Sequence, residues 1–91
     1  MNTYLISYDL IKPVQNYEKV ISHIKSSYAM WAKPQKSVWL IKTTLPLQAV
    51  RDNVRNNMDS NDNALVLDIT GDNWATYNIS SEVTQWMQNN V

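Results

Sequence analysis

The chain has 91 residues, with eight basic and eight acidic side chains, so its formal net charge is zero. A single domain of this size buries only about two thirds of its unfolded surface, and a neutral chain has no net basic field that would draw it onto duplex nucleic acid. The absence of cysteine excludes disulfides, thiolate nucleophiles and cysteine-based zinc sites. No apolar stretch is long enough to span a membrane and no secretory signal is expected, so we predict a cytoplasmic protein.

The first half of the chain predicts a strand, a helix and a second strand. Residues 3–10 form an apolar, aromatic and β-branched run that is typical of a central strand covered on both faces. A helix is expected to begin after Asn16 as its cap, because apolar side chains then recur at spacings of three and four at Tyr17, Val20, Ile21, Ile24 and Tyr28. Residues 28–32 are predicted to form the second strand, which Pro34 would stop at a sheet edge.

The second half predicts the same alternation. Residues 37–43 are expected to form a third strand, and a second helix should begin after Pro46, with an apolar stripe of Leu47, Val50, Val54 and Met58. A polar turn at residues 59–63 leads to a fourth strand at residues 64–70, which the only glycine, Gly71, would end. A short helix is expected from about Ser80.

This order of elements predicts an α+β, ferredoxin-like βαββαβ fold, in which two helices cover one face of a four-stranded antiparallel sheet. Residues 1–71 would form that domain, and residues 72–91 a C-terminal extension with the short helix. The strands carry apolar residues at both alternations, so the second face of the sheet must also be buried, most simply against a second copy in a homodimer. The alternative is that the C-terminal segment, with Trp74, Tyr77 and Trp86, folds back over that face in the same chain.

Asp9 ends the first strand and is the strongest candidate functional residue, because an ionised carboxylate in an apolar run needs water, a cation or a donor. If two sheet faces pair about a two-fold axis near Asp9, the two Asp9 carboxylates approach each other, and a divalent cation would relieve their repulsion. Magnesium fits such a site, and Ser7, on the same strand face, could orient a water for attack on a phosphodiester. The alternative is that Asp9 caps the following turn and binds no metal.

Three cations are candidate phosphate contacts. Arg51 and Arg55 lie four residues apart on one flank of the second helix, so both guanidinium groups could clamp a phosphate. Lys12, just after the first strand, is the third candidate. The alternative is that these side chains only solvate a helix edge, with Arg55 paired to Asp52 or Asp59.

The aromatic residues offer stacking surfaces for bases. Trp31, on the predicted edge strand, and Trp74, in a predicted loop, are candidate ligand residues, whereas Trp39 is expected in the core. His23 is the only histidine, so it cannot build a histidine metal site, and it is predicted to be solvated beside the first helix's stripe.

The segments that carry a family resemblance are residues 3–10 (TYLISYDL), Lys12-Pro13, Tyr17, residues 37–43 (SVWLIKT), Arg51-Asp52, residues 59–62 (DSND), Leu65-Val66 and Thr70-Gly71. In order and spacing, over residues 1 to about 75, they resemble the SinR family, small relatives of the CRISPR-associated Cas-two proteins. The resemblance implies a ferredoxin-like homodimer that binds or cuts nucleic acid, or that serves as a non-catalytic scaffold. It also implies that Asp9, in the tyrosine–aspartate pair, is a metal ligand.

Three functional hypotheses remain. The first is a magnesium-dependent phosphodiesterase or endonuclease that uses Asp9 of both subunits. The second is a non-catalytic dimer that binds nucleic acid or sequesters a small nucleotide, for example a cyclic one. A small ligand needs only a pocket and a few cations. The third is a protein-interaction adaptor or inhibitor in a defence or counter-defence system.

Overall fold

A computed structural model describes residues 1–11 and 13–91 of the chain. In chain order the elements are β1 (Asn2–Asp9), α1 (Pro13–Ser27), β2 (Met30–Gln35), β3 (Val38–Thr43), α2 (Leu47–Arg55), β4 (Asn63–Asp68) and α3 (Ser81–Asn90). The strands form one antiparallel sheet in the order β2-β3-β1-β4. The predicted ferredoxin-like fold, with its short C-terminal helix, is therefore confirmed. None of the helices in the described part of the chain is long and apolar enough to cross a membrane.

The main core lies between the sheet and the pair α1 and α2. Alternate residues of β1, Tyr4, Ile6 and Tyr8, are buried on this face, as is Trp39 from β3, which is 0% exposed. The Nε1–H of Trp39 donates to the Tyr8 hydroxyl at 2.9 Å, so the largest core side chain keeps its hydrogen bond when it is removed from water. The expectation that Trp39 belongs to the core is confirmed.

Three predicted boundaries in the first half are wrong. Helix α1 begins at Pro13, and Asn16 lies inside it rather than at its cap; proline suits a first helical position because its missing N–H has no intrahelical partner there. Tyr28 follows the helix and is not in a strand: its N–H donates to the carbonyl of Ile24 at 3.2 Å. Strand β2 begins at Met30 and runs through Pro34.

Pro34 fits inside β2 because this strand is at the edge of the sheet. The pairing of β2 with β3 shifts register between Ala32 and Gln35, which is the interval that contains Pro34. No ladder bond is therefore lost to its missing N–H. The sequence correctly placed the proline at a sheet edge but wrongly ended the strand before it.

Helix α3 packs on the opposite face of the sheet. Met87 is 8% exposed and forms a second buried cluster with Ala32 and Leu40. The helix begins where predicted, since the Ser80 hydroxyl accepts the N–H of Val83 at 3.3 Å. At the other end of α3, the Thr3 hydroxyl donates to the backbone carbonyl of Asn90. The C-terminal segment thus folds back over the sheet in its own chain, which is the alternative that the sequence left open.

The covering of this face is incomplete. Leu65 and Leu67 point to the same side of the sheet from the outer strand β4, and they remain 52% and 50% exposed. Only the part of this sheet face that α3 leaves open, at β4, is therefore accessible to a second copy.

Candidate functional site

Asp9 lies exposed at the end of β1. It pairs in register with Asn63, the first residue of β4, and Ser7 pairs with Leu65 two positions earlier. Because side chains alternate along a strand, Asp9 and Ser7 share one face of β1, as the sequence predicted, and this is the face that carries α3.

A different carboxylate supports the turn that follows β1. The N–H of Ile11 donates to Oδ1 of Asp62 at 2.7 Å, and Oδ2 of Asp62 accepts the N–H of Asp59 at 2.9 Å. Asp62 therefore ties the turn after β1 to the turn before β4. Sequence analysis missed this role and assigned a possible capping function in the first turn to Asp9.

Both predicted arginines line one cleft of about 430 Å³, which we call the arginine cleft. It lies between the end of α2 and the start of β4, and its described lining is Arg51, Arg55, Met58, Asp59, Ser60, Asp62, Asn63 and Ala64. The spacing of four residues along α2 places the two guanidinium groups on the same flank, as expected.

The two arginines share one carboxylate. Arg51 donates to Oδ1 of Asp52 from Nε at 3.1 Å and from a terminal nitrogen at 3.0 Å, and a terminal nitrogen of Arg55 lies 3.8 Å from the same oxygen. The predicted pairing of Arg55 with Asp52 is therefore confirmed. These ion pairs are exposed and hence weak, and each guanidinium has further N–H groups with which to bind a ligand.

Asp9 and the arginine cleft lie at the same end of the sheet. Asn63 connects them, because it pairs with Asp9 and also lines the cleft. The two arginines, on α2, nevertheless lie on the other side of the sheet from the side chains of Asp9 and Ser7, so the two groups share an end of the sheet but not a face. Lys12, the third predicted cation, lies outside the described residues.

The two candidate tryptophans lie elsewhere. Trp31 is on the outer strand β2, where its ring packs edge-on against Trp39 with 5.3 Å between centroids and the Lys25 ammonium lies 5.4 Å from its ring centre. Trp74 lies in the loop between β4 and α3 and lines a separate cavity. Neither ring forms part of the described lining of the arginine cleft.

The donors around Asp9 suit magnesium in type but not in number. Carboxylate, hydroxyl and amide oxygens are the ligands that this ion prefers. Within the part of one chain that the structure describes, no three His, Asp or Glu side chains converge on a point where they could hold a metal. The contribution of a second carboxylate from another subunit, which the sequence analysis proposed, stays a prediction.

His23 differs from its predicted state. Its Nδ1 lies 3.1 Å from the Ser27 hydroxyl, but its Nε2 is buried without a partner among the described residues. Burial lowers the pKa of the imidazole. His23 is thus part of the α1 packing surface and lies on a different element from the arginine cleft.

No protein-family model, curated protein or solved structure matches this chain. The resemblance to the SinR family therefore stays a prediction, and the functional proposals depend on the geometry of the chain itself.

Proposed function

We propose that this protein is a cytoplasmic homodimer that binds a phosphate-bearing ligand, a nucleotide or a nucleic-acid strand, in the arginine cleft. The observation that carries this proposal is the position of Arg51 and Arg55 on one cleft, at the end of the sheet where Asp9 is exposed. Guanidinium groups bind phosphate oxygens in a bidentate manner, so two of them on one flank are suited to hold one phosphate group.

The size and charge of the cleft favour a small ligand. Its volume of about 430 Å³ is in the range of small-molecule sites. The two acidic side chains in the same lining, Asp59 and Asp62, oppose a dense run of negative charge. Together with the zero net charge of the chain, this favours a ligand with one or two phosphates over a long duplex, which requires many cationic contacts.

Calorimetric titration with AMP, a cyclic dinucleotide and a short single-stranded oligonucleotide tests this proposal. We expect the double variant Arg51→Ala/Arg55→Ala to weaken binding of at least one of these probes by about tenfold or more, because a charge-assisted hydrogen bond contributes about 1.5–3 kcal/mol. The matched control is Lys19→Ala/Lys36→Ala, which removes two exposed cations elsewhere. Equal losses in both double variants, or no binding of any probe, would contradict the proposal.

A magnesium-dependent phosphodiesterase is the second candidate, supported by the exposed carboxylate of Asp9 and by Ser7 on the same face. Bound magnesium would supply an activated water and stabilise charge on the phosphate. Asp9 of each subunit would hold the ion, and Ser7 would orient the attacking water, which displaces one ester oxygen from phosphorus. In this case Asp9→Asn should abolish magnesium-dependent cleavage of single-stranded RNA or DNA. The same variant should still bind the ligand at the arginines. Cleavage that survives in Asp9→Asn would remove Asp9 from the mechanism.

The two exposed leucines of β4, Leu65 and Leu67, support the homodimer proposal. Leu65 lies opposite Ser7 in register, and Leu67 lies opposite Leu5, so an interface that buries both leucines would also approach Asp9. Light scattering should give twice the monomer mass for the parent chain and the monomer mass for Leu65→Ser/Leu67→Ser. If the parent chain is monomeric, the same leucines would support the adaptor hypothesis, and a pull-down from cell extract would then test them.

A further inference from the structure

A second cavity lies on the α3 face of the sheet, and we call it the aromatic cavity. Its volume is about 430 Å³. Leu5 and Leu40 form the floor from the sheet, and Met87 of α3 forms one wall with Val91, the residue after this helix. The loop at residues 69–80 forms the other wall with Trp74 and Ile79. The cavity is therefore concave and bounded by three separate parts of the chain.

The loop that forms this wall is long and has no regular secondary structure between β4 and α3. Loops longer than about 12–15 residues without such structure are uncommon and usually functional or disordered, and the loop at residues 69–80 is at the lower limit of this length. Here the loop is anchored at its start, where the N–H of Ile69 donates to the carbonyl of Thr3 at 2.9 Å and the N–H of Thr3 donates to the Thr70 hydroxyl at 2.9 Å. Ser80 anchors its end as the cap of α3. The wall is thus held in place over the sheet.

The backbone within the loop helps to shape the wall. Asn78 has a φ of +54°, in the left-handed region that asparagine tolerates better than most residues. The turn at this position separates Tyr77, which is 86% exposed at the rim, from Ile79, which is partly buried in the lining.

The aromatic cavity has the opposite chemistry from the arginine cleft. Its described lining contains one ionisable acid, Asp72, and no lysine, arginine or histidine. A phosphate would find no counter-charge there, whereas a neutral heteroaromatic ring can leave water if the lining hydrogen-bonds its polar atoms. The indole of Trp74 is 37% exposed and offers a flat surface on which an aromatic ring can stack.

The shape argues for a small molecule as the occupant. Small-molecule sites are typically cavities of about 300–1,000 Å³ with apolar walls and a few polar groups. Gln35, Asn73 and Thr76 supply such groups in the lining.

From these observations we infer that the aromatic cavity is a ligand site for a neutral, flat heteroaromatic molecule of nucleoside size, which stacks on Trp74. This inference concerns a different surface from the arginine cleft and does not depend on phosphate binding there.

Heteronuclear NMR titration with adenosine, using AMP as the charged counterpart, tests the inference. The chain has four tryptophans, so the indole N–H signals report each ring separately. We expect adenosine to shift the signal of Trp74 and to leave that of Trp31 unchanged. Trp74→Ala should weaken adenosine binding by at least about fivefold, the lower limit for loss of one stacked base. Arg51→Ala/Arg55→Ala should leave adenosine binding unchanged, so failure of the phosphate proposal would be seen separately.

A second variant allows the inference to be tested even if Trp74→Ala does not fold. Ala75 lines the cavity, and Ala75→Leu narrows it without removing a wall residue. If Trp74→Ala fails to give a folded spectrum, Ala75→Leu alone must weaken adenosine binding. The inference is overturned if millimolar adenosine leaves the Trp74 signal in place, if binding survives in every folded variant, or if AMP shifts Trp74 at lower concentration than adenosine does.

Discussion

The position of α3 on the sheet can be tested with a single substitution, Met87→Ala. Met87 is 8% exposed and packs against Leu40, which is 2% exposed, and against Ala32. Truncation of a buried methionine to alanine costs about 2–5 kcal/mol, partly through the cavity that it leaves. Since Met87 borders the aromatic cavity, the space left by truncation joins an existing opening. We therefore expect a loss near the lower limit, about 2 kcal/mol.

Urea denaturation followed by tryptophan fluorescence measures this loss. For a small domain with a slope of about 1–2 kcal/mol per molar urea, a loss of about 2 kcal/mol lowers the midpoint by about 1–2 M. The corresponding fall in the melting temperature is about 8–16 °C. Gln88→Ala is the matched control, because Gln88 is the next residue of α3 and is exposed. That change should alter the free energy of unfolding by less than about 0.5 kcal/mol.

One result would refute the reasoning. If Met87→Ala and Gln88→Ala have the same midpoint as the parent chain, α3 does not bury Met87 against the sheet in solution. The aromatic cavity would then lose one of its walls. The face of the sheet opposite α1 and α2 would then be uncovered. A second copy could bind to the whole of this face and not only to Leu65 and Leu67 of β4.

Three further substitutions test other contacts. Tyr8→Phe removes the acceptor of the buried Trp39 Nε1–H, so we expect a loss of about 1–3 kcal/mol in thermal unfolding, and an unchanged melting temperature would contradict this. Burial lowers the pKa of His23, so the unfolded chain binds more protons and the free energy of unfolding should fall as the pH drops below about 6.5. In His23→Gln this fall should be smaller. Equal pH dependences in the parent chain and the variant would contradict the burial of His23. Asp62→Ala removes the acceptor of the Ile11 N–H, whose hydrogen exchange should become faster, and unchanged protection would show that the bond does not hold the turn.

The fold could be predicted because the apolar residues of each strand or helix recur at the spacing typical of that element. The alternation in β1 and the spacing of three and four in α1 depend on local geometry, which is visible in the sequence. The boundaries that were wrong depend on longer-range structure. Pro34 can lie inside β2 only because that strand is at the sheet edge and shifts register there.

The candidate site was predictable to a different extent for each residue. Arg51 and Arg55 share a helix, so their spacing alone predicted a common flank. Asp62 was missed because its partner, the N–H of Ile11, is 51 positions away in the chain. The role of Trp74 as a cavity wall depends on the path of the loop over the sheet, and no local pattern encodes that path.

The sequence correctly indicated that the second sheet face needs cover. It favoured a second copy for this role, whereas the structure shows α3 of the same chain on the central strands, and the homodimer stays a prediction. The apolar residues at both alternations did require cover, and a short tail does leave part of the face open, at Leu65 and Leu67. The tail was nevertheless sufficient for the central strands, because its apolar residues Val83, Trp86 and Met87 recur at helical spacing and contact one cluster.

The chain has zero net charge, but its two cavities differ in chemistry: the arginine cleft is lined by charged side chains and the aromatic cavity mainly by apolar ones. The arginine cleft is lined by residues of α2, the following turn and the start of β4, whereas the aromatic cavity needs α3 and the loop before it. A change that disturbs the packing of α3 should therefore affect only one of them. In Met87→Ala we expect adenosine to bind more weakly at Trp74 while AMP binds the arginines as in the parent chain. If one ligand were shared by both surfaces, the two affinities would fall together.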